Sequence, residues 1–333
     1  MPGAERLQNI GTAAKHAAPE IEPVVRQLES FPADTCAIAL GLDRTTVPME
    51  EPRHGRPDPF RKRRKKPYIR KRPERIDVNY RMAYVGTVTL SDRDGDALAT
   101  LRYCASADEG PRNVVANMMS DLRHALRARR RAASTELRIG VVQDAAPELW
   151  SLIEDALRNE PEVTRWHAVV DRFHLTERLA QALQVLPLQK IERERQLSDW
   201  RLQLERDDTA IDRIERYLIL HMRNYNRNCE RAHRRSIVSD HTLLLETLRY
   251  IRNHKAKMRY ASVRALGLPT GSGTTEGACK SLVMIRAKRC GQRWHTRGIN
   301  SVLALRAYYL SERLPAFWSV FTARRIATLR AVA

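Results

Sequence analysis

Read for periodicity, the chain divides into short continuous apolar runs and longer stretches with apolar residues at helical spacing. Residues 1–30 show the second pattern and predict an amphipathic helix. Cys36–Val47 is small and apolar up to Asp43 and predicts a strand. Tyr80–Leu90 and Ala97–Ala105 predict two more, joined by Ser91–Asp96, whose Asp94-Gly95 is a hairpin turn signal. Pro111 opens a helix to about Arg130, with Val114, Val115, Met118, Met119, Leu122 and Leu126 along one face. Leu137–Val142 is a fourth strand, ending at Gln143-Asp144. Pro147 then sits in the first turn of a helix through Leu157. Trp166–Val170 is a fifth strand, closing on Asp171-Arg-Phe-His174 at the head of another helix. From Leu175 to about Val263 the sequence reads as almost wholly helical. Gly267–Gly273 breaks it, and a last helical region runs from Glu276 through Leu310, punctuated near Gly291 and Gly298.

Three strands, a helix, a strand, a helix and a strand make a mixed α/β order. An early hairpin followed by parallel crossovers is also the order of the RNase H-like fold, a mixed sheet flanked by helices. The expected organisation is an N-terminal helical segment (1–35), a first part of the core (36–174), a helical insertion (175–267) and a C-terminal helical part of the core (268–333). Composition narrows the class. Apolar residues make up 43% of the 333, too many for a disordered chain. No run approaches the length of a membrane span, and residues 1–30 hold no apolar secretory core, so the expectation is a cytoplasmic protein with no membrane partner. Five scattered cysteines without a CxxC argue against a disulfide framework or a thiolate zinc site.

Charge changes the picture more. Lys and Arg number 59 against 39 Asp and Glu, a formal charge of +20. Twelve of the cations fall in residues 53–75, against Asp58 and Glu74, and they include the run Arg61, Lys62, Arg63, Arg64, Lys65, Lys66. Four prolines in that stretch exclude a helix and favour an extended basic loop. A polyanion, DNA above all, is the expected partner, with salt-sensitive binding.

Isolated acids interrupt the apolar runs where an unpaired carboxylate is expensive to bury: Asp43 ends the first strand, Asp144 the fourth, Asp171 the fifth. Each could simply cap the helix after it, a reading that fits Asp144 and Asp171. Three such acids at one sheet edge of a basic chain favour a hard divalent cation such as Mg²⁺ instead, and two ions about 4 Å apart suit phosphoryl transfer. A further acid, Glu276, lies in Gly271-Ser-Gly-Thr-Thr-Glu-Gly-Ala-Cys-Lys280, in the first turn of a helix with Lys280 expected on the same face. Thr274 or Thr275 could instead be an N-cap that favours Glu276 through the helix dipole. Downstream, Arg286, Arg289 and Arg293 fall at i, i+3 and i+7, a basic stripe that could engage phosphates.

Three blocks resemble the DDE transposases of bacterial insertion sequences, in particular the ISKra-type group and its Mutator-like relatives. They are Leu42–Met49 with Tyr80–Val88, Val169–His174, and Gly271–Lys280 continued by Arg289–Trp294 and Val302–Arg306. The resemblance implies an RNase H-like core with a large all-helical insertion before the last catalytic acid, Mg²⁺- or Mn²⁺-dependent cleavage of DNA at element ends, transfer of the freed 3′-hydroxyl to a target, and a homo-oligomer that synapses two ends in the bacterial nucleoid. By position Asp43 is the first acid and Glu276 the last. Topology selects Asp144 as the second, whereas Asp171 and His174 match a D-x-x-H signature from which some related families take it. Trp294 reads as core more readily than as a base-stacking wedge. Relatives of this kind carry a DNA-recognition region ahead of the core, whereas only 42 residues precede Asp43, which leaves a truncated copy, a miscalled start or an excised piece. The competing readings are an RNase H-like structure-specific nuclease and a non-catalytic DNA-binding relic.

Overall fold

The computed structural model describes residues 2–52, 76–106, 108–131, 137–232, 238–289 and 291–332. The basic stretch 53–75, with Arg61, Lys62, Arg63, Arg64, Lys65 and Lys66, lies outside them. Five strands form one mixed sheet: β1 (Ala37–Pro52), β2 (Ile76–Ser91), β3 (Ala97–Ser106), β4 (Arg138–Gln143) and β5 (His167–Val170), in the order β3-β2-β1-β4-β5. The β1–β2 and β2–β3 pairs are antiparallel, while β4 and β5 add parallel to β1. At the first hairpin Gly95 has φ +91°, and the Asp92 carboxylate accepts from the amides of Asp94 and Asp96.

β1 is central, which explains its unbroken apolar start. Its even positions Ile38, Leu40 and Leu42 join the main core, with Val114, Met118 and Leu122 of α2 (Gly110–Arg131) and Leu149, Trp150 and Ile153 of α3 (Pro147–Arg158). This core continues through α4 (Arg172–Gln184), α5 (Lys190–Arg206), α6 (Ala210–Ala232), α7 (Val238–His254) and α8 (Tyr260–Ala265), the helical stretch read from the sequence. A smaller cluster packs Val47, Met49, Ala83 and Val85 against Ala278, Cys279, Leu282, Val283, Ile299 and Leu303. A third joins α1 (Pro2–Leu28) to the C-terminal helices through Ile21, Val25, Tyr308 and Phe317. No described helix is long and apolar enough to cross a membrane.

Four expectations need correction. Asp43 does not end its strand: β1 runs on to Pro52, because its polar second half still pairs with β2 residue by residue. The helical region 276–310 is interrupted around Gly291 as expected, but not at Gly298. It comprises α9 (Gly273–Ala278), a π-helical turn (Cys279–Met284), α10 (Ile285–Ala287), a connector, and α11 (Thr296–Leu310), in which Gly298 is an interior residue. Arg289 and Arg293 are therefore off the helix that carries Arg286, and the basic stripe is broken. The connector is held instead on β1, where Trp294 bridges Met49, the Trp294 amide donates to Pro48 O, and the Glu50 amide donates to Trp294 O. Half-buried Trp294 packs on the second cluster, as the core reading expects. Finally, α12 (Leu314–Val332) follows α11, beyond the last predicted helix.

Candidate metal centre

Register brings the acids together. Leu40 pairs with Val141 and Gln143 with Val170, so carrying both ladders forward sets Asp43, Asp144 and Asp171 level across β1, β4 and β5. The Asp171 amide continues the ladder by donating to Gln143 O at 3.1 Å. Residues at one level of a parallel sheet share a face. Here that face is the one covered by α9, since Gly41 of β1 abuts Thr275 and Gly140 of β4 abuts Leu268.

Asp171 is buried and caps α4, its Oδ1 accepting from the amides of Phe173 (2.5 Å) and His174 (3.4 Å). Its Oδ2 accepts from the Ser272 amide at 2.7 Å and from the Ser272 hydroxyl. Ser272 Oγ also lies 2.9 Å from Glu276 Oε1, so one serine ties two carboxylates together. It precedes α9 between two glycines, and sequence reasoning missed it; its only signal is a hydroxyl four residues ahead of the acid. The cap reading for Thr275 fails. Its side chain is buried and hydrogen-bonded to Thr87 at 2.8 Å, and residue 272 occupies the N-cap position.

His174 Nε2 lies 3.6 Å from Glu276 Oε1, while Nδ1 faces Glu177 Oε2 at 3.3 Å. Partial burial disfavours the imidazolium, but the surrounding acids Asp144, Asp171, Glu177 and Glu276 win, and the His174 pKa rises above its usual value. Among the described residues, Asp171, His174 and Glu276 are the group whose ligand atoms all lie within 4.8 Å of one another. Two carboxylates and an imidazole converging on one point, one already oriented by four donors, could hold a metal ion.

Asp43 and Asp144 lie outside that group. Asp43 is half-buried on β1, its Oδ1 accepting from the Arg44 amide (2.6 Å) and its Oδ2 from the Cys279 thiol (3.3 Å). Burial first, then Asp43 and Glu276, push the Cys279 pKa far above the usual thiol range, so this thiol stays protonated in the field of both acids. Cys279 is a second residue that sequence reasoning missed, and it begins the π-turn. Asp144 is exposed. It does not cap α3, whose N-cap residue is Ala146; its Oδ1 accepts from the Ala145 amide at 2.6 Å. The field of Asp144 reaches His174, Tyr250 and His254, placing it on the rim beside α7. The acid held against Glu276 is thus Asp171, not Asp144.

Lys280 is exposed at the start of the π-turn, four residues after half-buried Glu276. Arg286 lies over the Trp294 ring, 5.8 Å from its centroid, and Arg289 and Arg293 are exposed along the connector. Compared with protein-family models the chain finds no match, and compared with curated proteins it finds none either.

Proposed function

We propose that the chain is a DNA strand-cleaving and strand-joining enzyme of the DDE transposase type, working on an RNase H-like core into which α4–α8 are inserted. The observation that carries this reading is the convergence of Asp171, His174 and Glu276 within 4.8 Å, on the sheet face and at the level where Asp43 and Asp144 also stand. A strand order of 3-2-1-4-5 with acids at the ends of the parallel strands supports the core assignment, and the surplus of cations supports a nucleic-acid substrate.

In this reading Asp171, Glu276 and His174 would hold one divalent ion, and Asp43, across the Cys279 thiol, would be available to a second; such ions would supply a nucleophile at neutral pH and neutralise charge on the phosphodiester. Ser272 fixes the Asp171 and Glu276 carboxylates in mutual register. Glu177 orients the His174 ring so that Nε2 faces the site. Arg286, Arg289, Arg293 and Lys280 offer positive charge to the phosphates on either side. Asp171 takes the place of the second acid, and Asp144 is a rim residue whose loss should matter less.

The test is Mn²⁺-dependent nicking of supercoiled plasmid and joining of a 3′-hydroxyl oligonucleotide. Glu276→Gln and Asp171→Asn should abolish both, and Asp144→Asn should retain most nicking. Nicking with no joining by the wild type would favour the nuclease reading. Mn²⁺ binding with neither reaction would favour the relic.

A further inference from the structure

Phe173 stands between Asp171 and His174 in the first turn of α4, and its ring is 58% exposed. Phe31 and Phe321 are partly buried and Phe317 fully so, which makes Phe173 the one exposed phenylalanine among those described. The chain forgoes most of what a buried phenylalanine contributes. The backbone that carries the ring is nonetheless fixed. The Phe173 amide donates to Asp171 Oδ1 at 2.5 Å, and the neighbouring Arg172 amide donates to Thr270 O at 3.0 Å. Only the side-chain torsions remain free. The ring meets the His174 imidazole edge-on, with centroids 6.2 Å apart and planes at 68°. It therefore leans on a member of the acidic group and leaves a face to solvent. Nearby, Gly273 and Gly277 flank Glu276, and a Cβ on either would meet open space. A nucleic-acid backbone can approach Glu276 over bare main chain while a base meets the aromatic ring.

We propose that Phe173 is a stacking platform for one unpaired nucleobase of the DNA strand at the Asp171–His174–Glu276 group. The proposal deepens the DNA-cleaving reading and rests on it. A π-face offered beside the acids recognises a base without regard to its identity, but only once that base has left the duplex. The site thereby prefers a locally single-stranded or frayed strand over intact duplex.

The probe is a 20-nucleotide oligothymidylate, with a 20-base-pair duplex as comparison, titrated in Ca²⁺ against the full chain. Phe173→Ala should weaken oligothymidylate binding about tenfold, the typical worth of one stacked base, and leave duplex affinity unchanged. Phe173→Trp should restore affinity, and its added emission should be quenched by oligothymidylate but not by an abasic strand of equal length. Equal oligothymidylate affinity of Phe173→Ala and wild type overturns the proposal, as does Phe173→Leu behaving like Phe173→Trp, since leucine has bulk but no π-face. Mn²⁺ titration of each variant by electron paramagnetic resonance checks that the acidic group is intact. The parent reading fails separately: if Glu276→Gln still nicks plasmid, the chemistry is wrong whatever Phe173 does. If Glu276→Gln is dead and Phe173→Ala binds oligothymidylate like wild type, only the stacking is wrong.

Discussion

Gly41 is where the sheet and the helix carrying Glu276 come closest. A Cβ on Gly41 would stand 2.0 Å from Thr275 Oγ1, 3.0 Å from Thr87 Oγ1 and 3.1 Å from Thr275 Cβ. Gly41→Ala has two ways out. Thr275 can rotate its hydroxyl aside, which breaks its buried 2.8 Å bond to Thr87 and strands a polar group, at about 1–3 kcal/mol. Alternatively α9 retreats by roughly 1.4 Å, an overpacking cost of about 1–3 kcal/mol, and takes Glu276 with it. Either route lowers the urea midpoint, and the second also weakens Mn²⁺ binding. Thr275→Ala removes the offending oxygen, so the double variant Gly41→Ala/Thr275→Ala should cost about 1 kcal/mol less than the two single effects added. Gly41→Ala with an unchanged midpoint, or strict additivity in the cycle, would refute the close approach of β1 and α9.

Other consequences are equally direct. Ser272→Ala removes the hydroxyl shared by Asp171 and Glu276, and Mn²⁺ affinity measured by calorimetry should fall about 10–100-fold, as for other groups that orient metal ligands; an unchanged affinity would deny Ser272 that role. Burial raises the Cys279 pKa far above the thiol range and the Cys104 pKa to about 12, so peptide mapping after iodoacetamide at pH 8 should find both unmodified until the chain is denatured. Asp121 is buried with Arg313, Arg26 and Tyr103 on its carboxylate, and Asp121→Asn should cost about 3–5 kcal/mol, read as a large drop in melting temperature. Burial alone would raise the Asp121 pKa, but Arg313, Arg26 and Tyr103 hold it below the usual carboxylate value. Its stabilisation is therefore complete above an unfolded pKa of about 3.9 and is lost as pH falls through the lower folded value. The wild type should lose melting temperature in that window faster than Asp121→Asn; parallel pH profiles would refute the linkage.

What could be read from sequence was whatever a local pattern records. The five strands, the Asp94-Gly95 turn and the acids after β4 and β5 were visible because a carboxylate or a glycine is conspicuous inside an apolar run. The end of β1, Pro48–Pro52, was not, because two prolines and two glutamates in five residues read as loop and are held in the sheet by β2. Nothing local distinguishes Cys279–Met284 from an α-helical turn or shows that α10 stops at Ala287, so the arginines beyond were placed on one stripe. The roles of Ser272 and Cys279 depend on residues 101 and 236 positions away, Asp171 and Asp43. Asp121 reads as a surface acid until Arg313, 192 residues on, closes over it. Between Asp144 and Asp171 the sequence left a choice, because both follow a parallel strand; the loop 268–272 that brings Ser272 and Glu276 to Asp171 separates them.

The most direct measurement is an anomalous difference map from crystals of the chain soaked in Mn²⁺. The account predicts a peak at coordination distance, roughly 2–2.4 Å, from Asp171, His174 and Glu276, lost in Glu276→Gln. A peak at Asp43 and Asp144 that leaves Asp171 and Glu276 unliganded would contradict it, and so would no peak at any of the four acids in Mn²⁺ concentrations that support plasmid nicking.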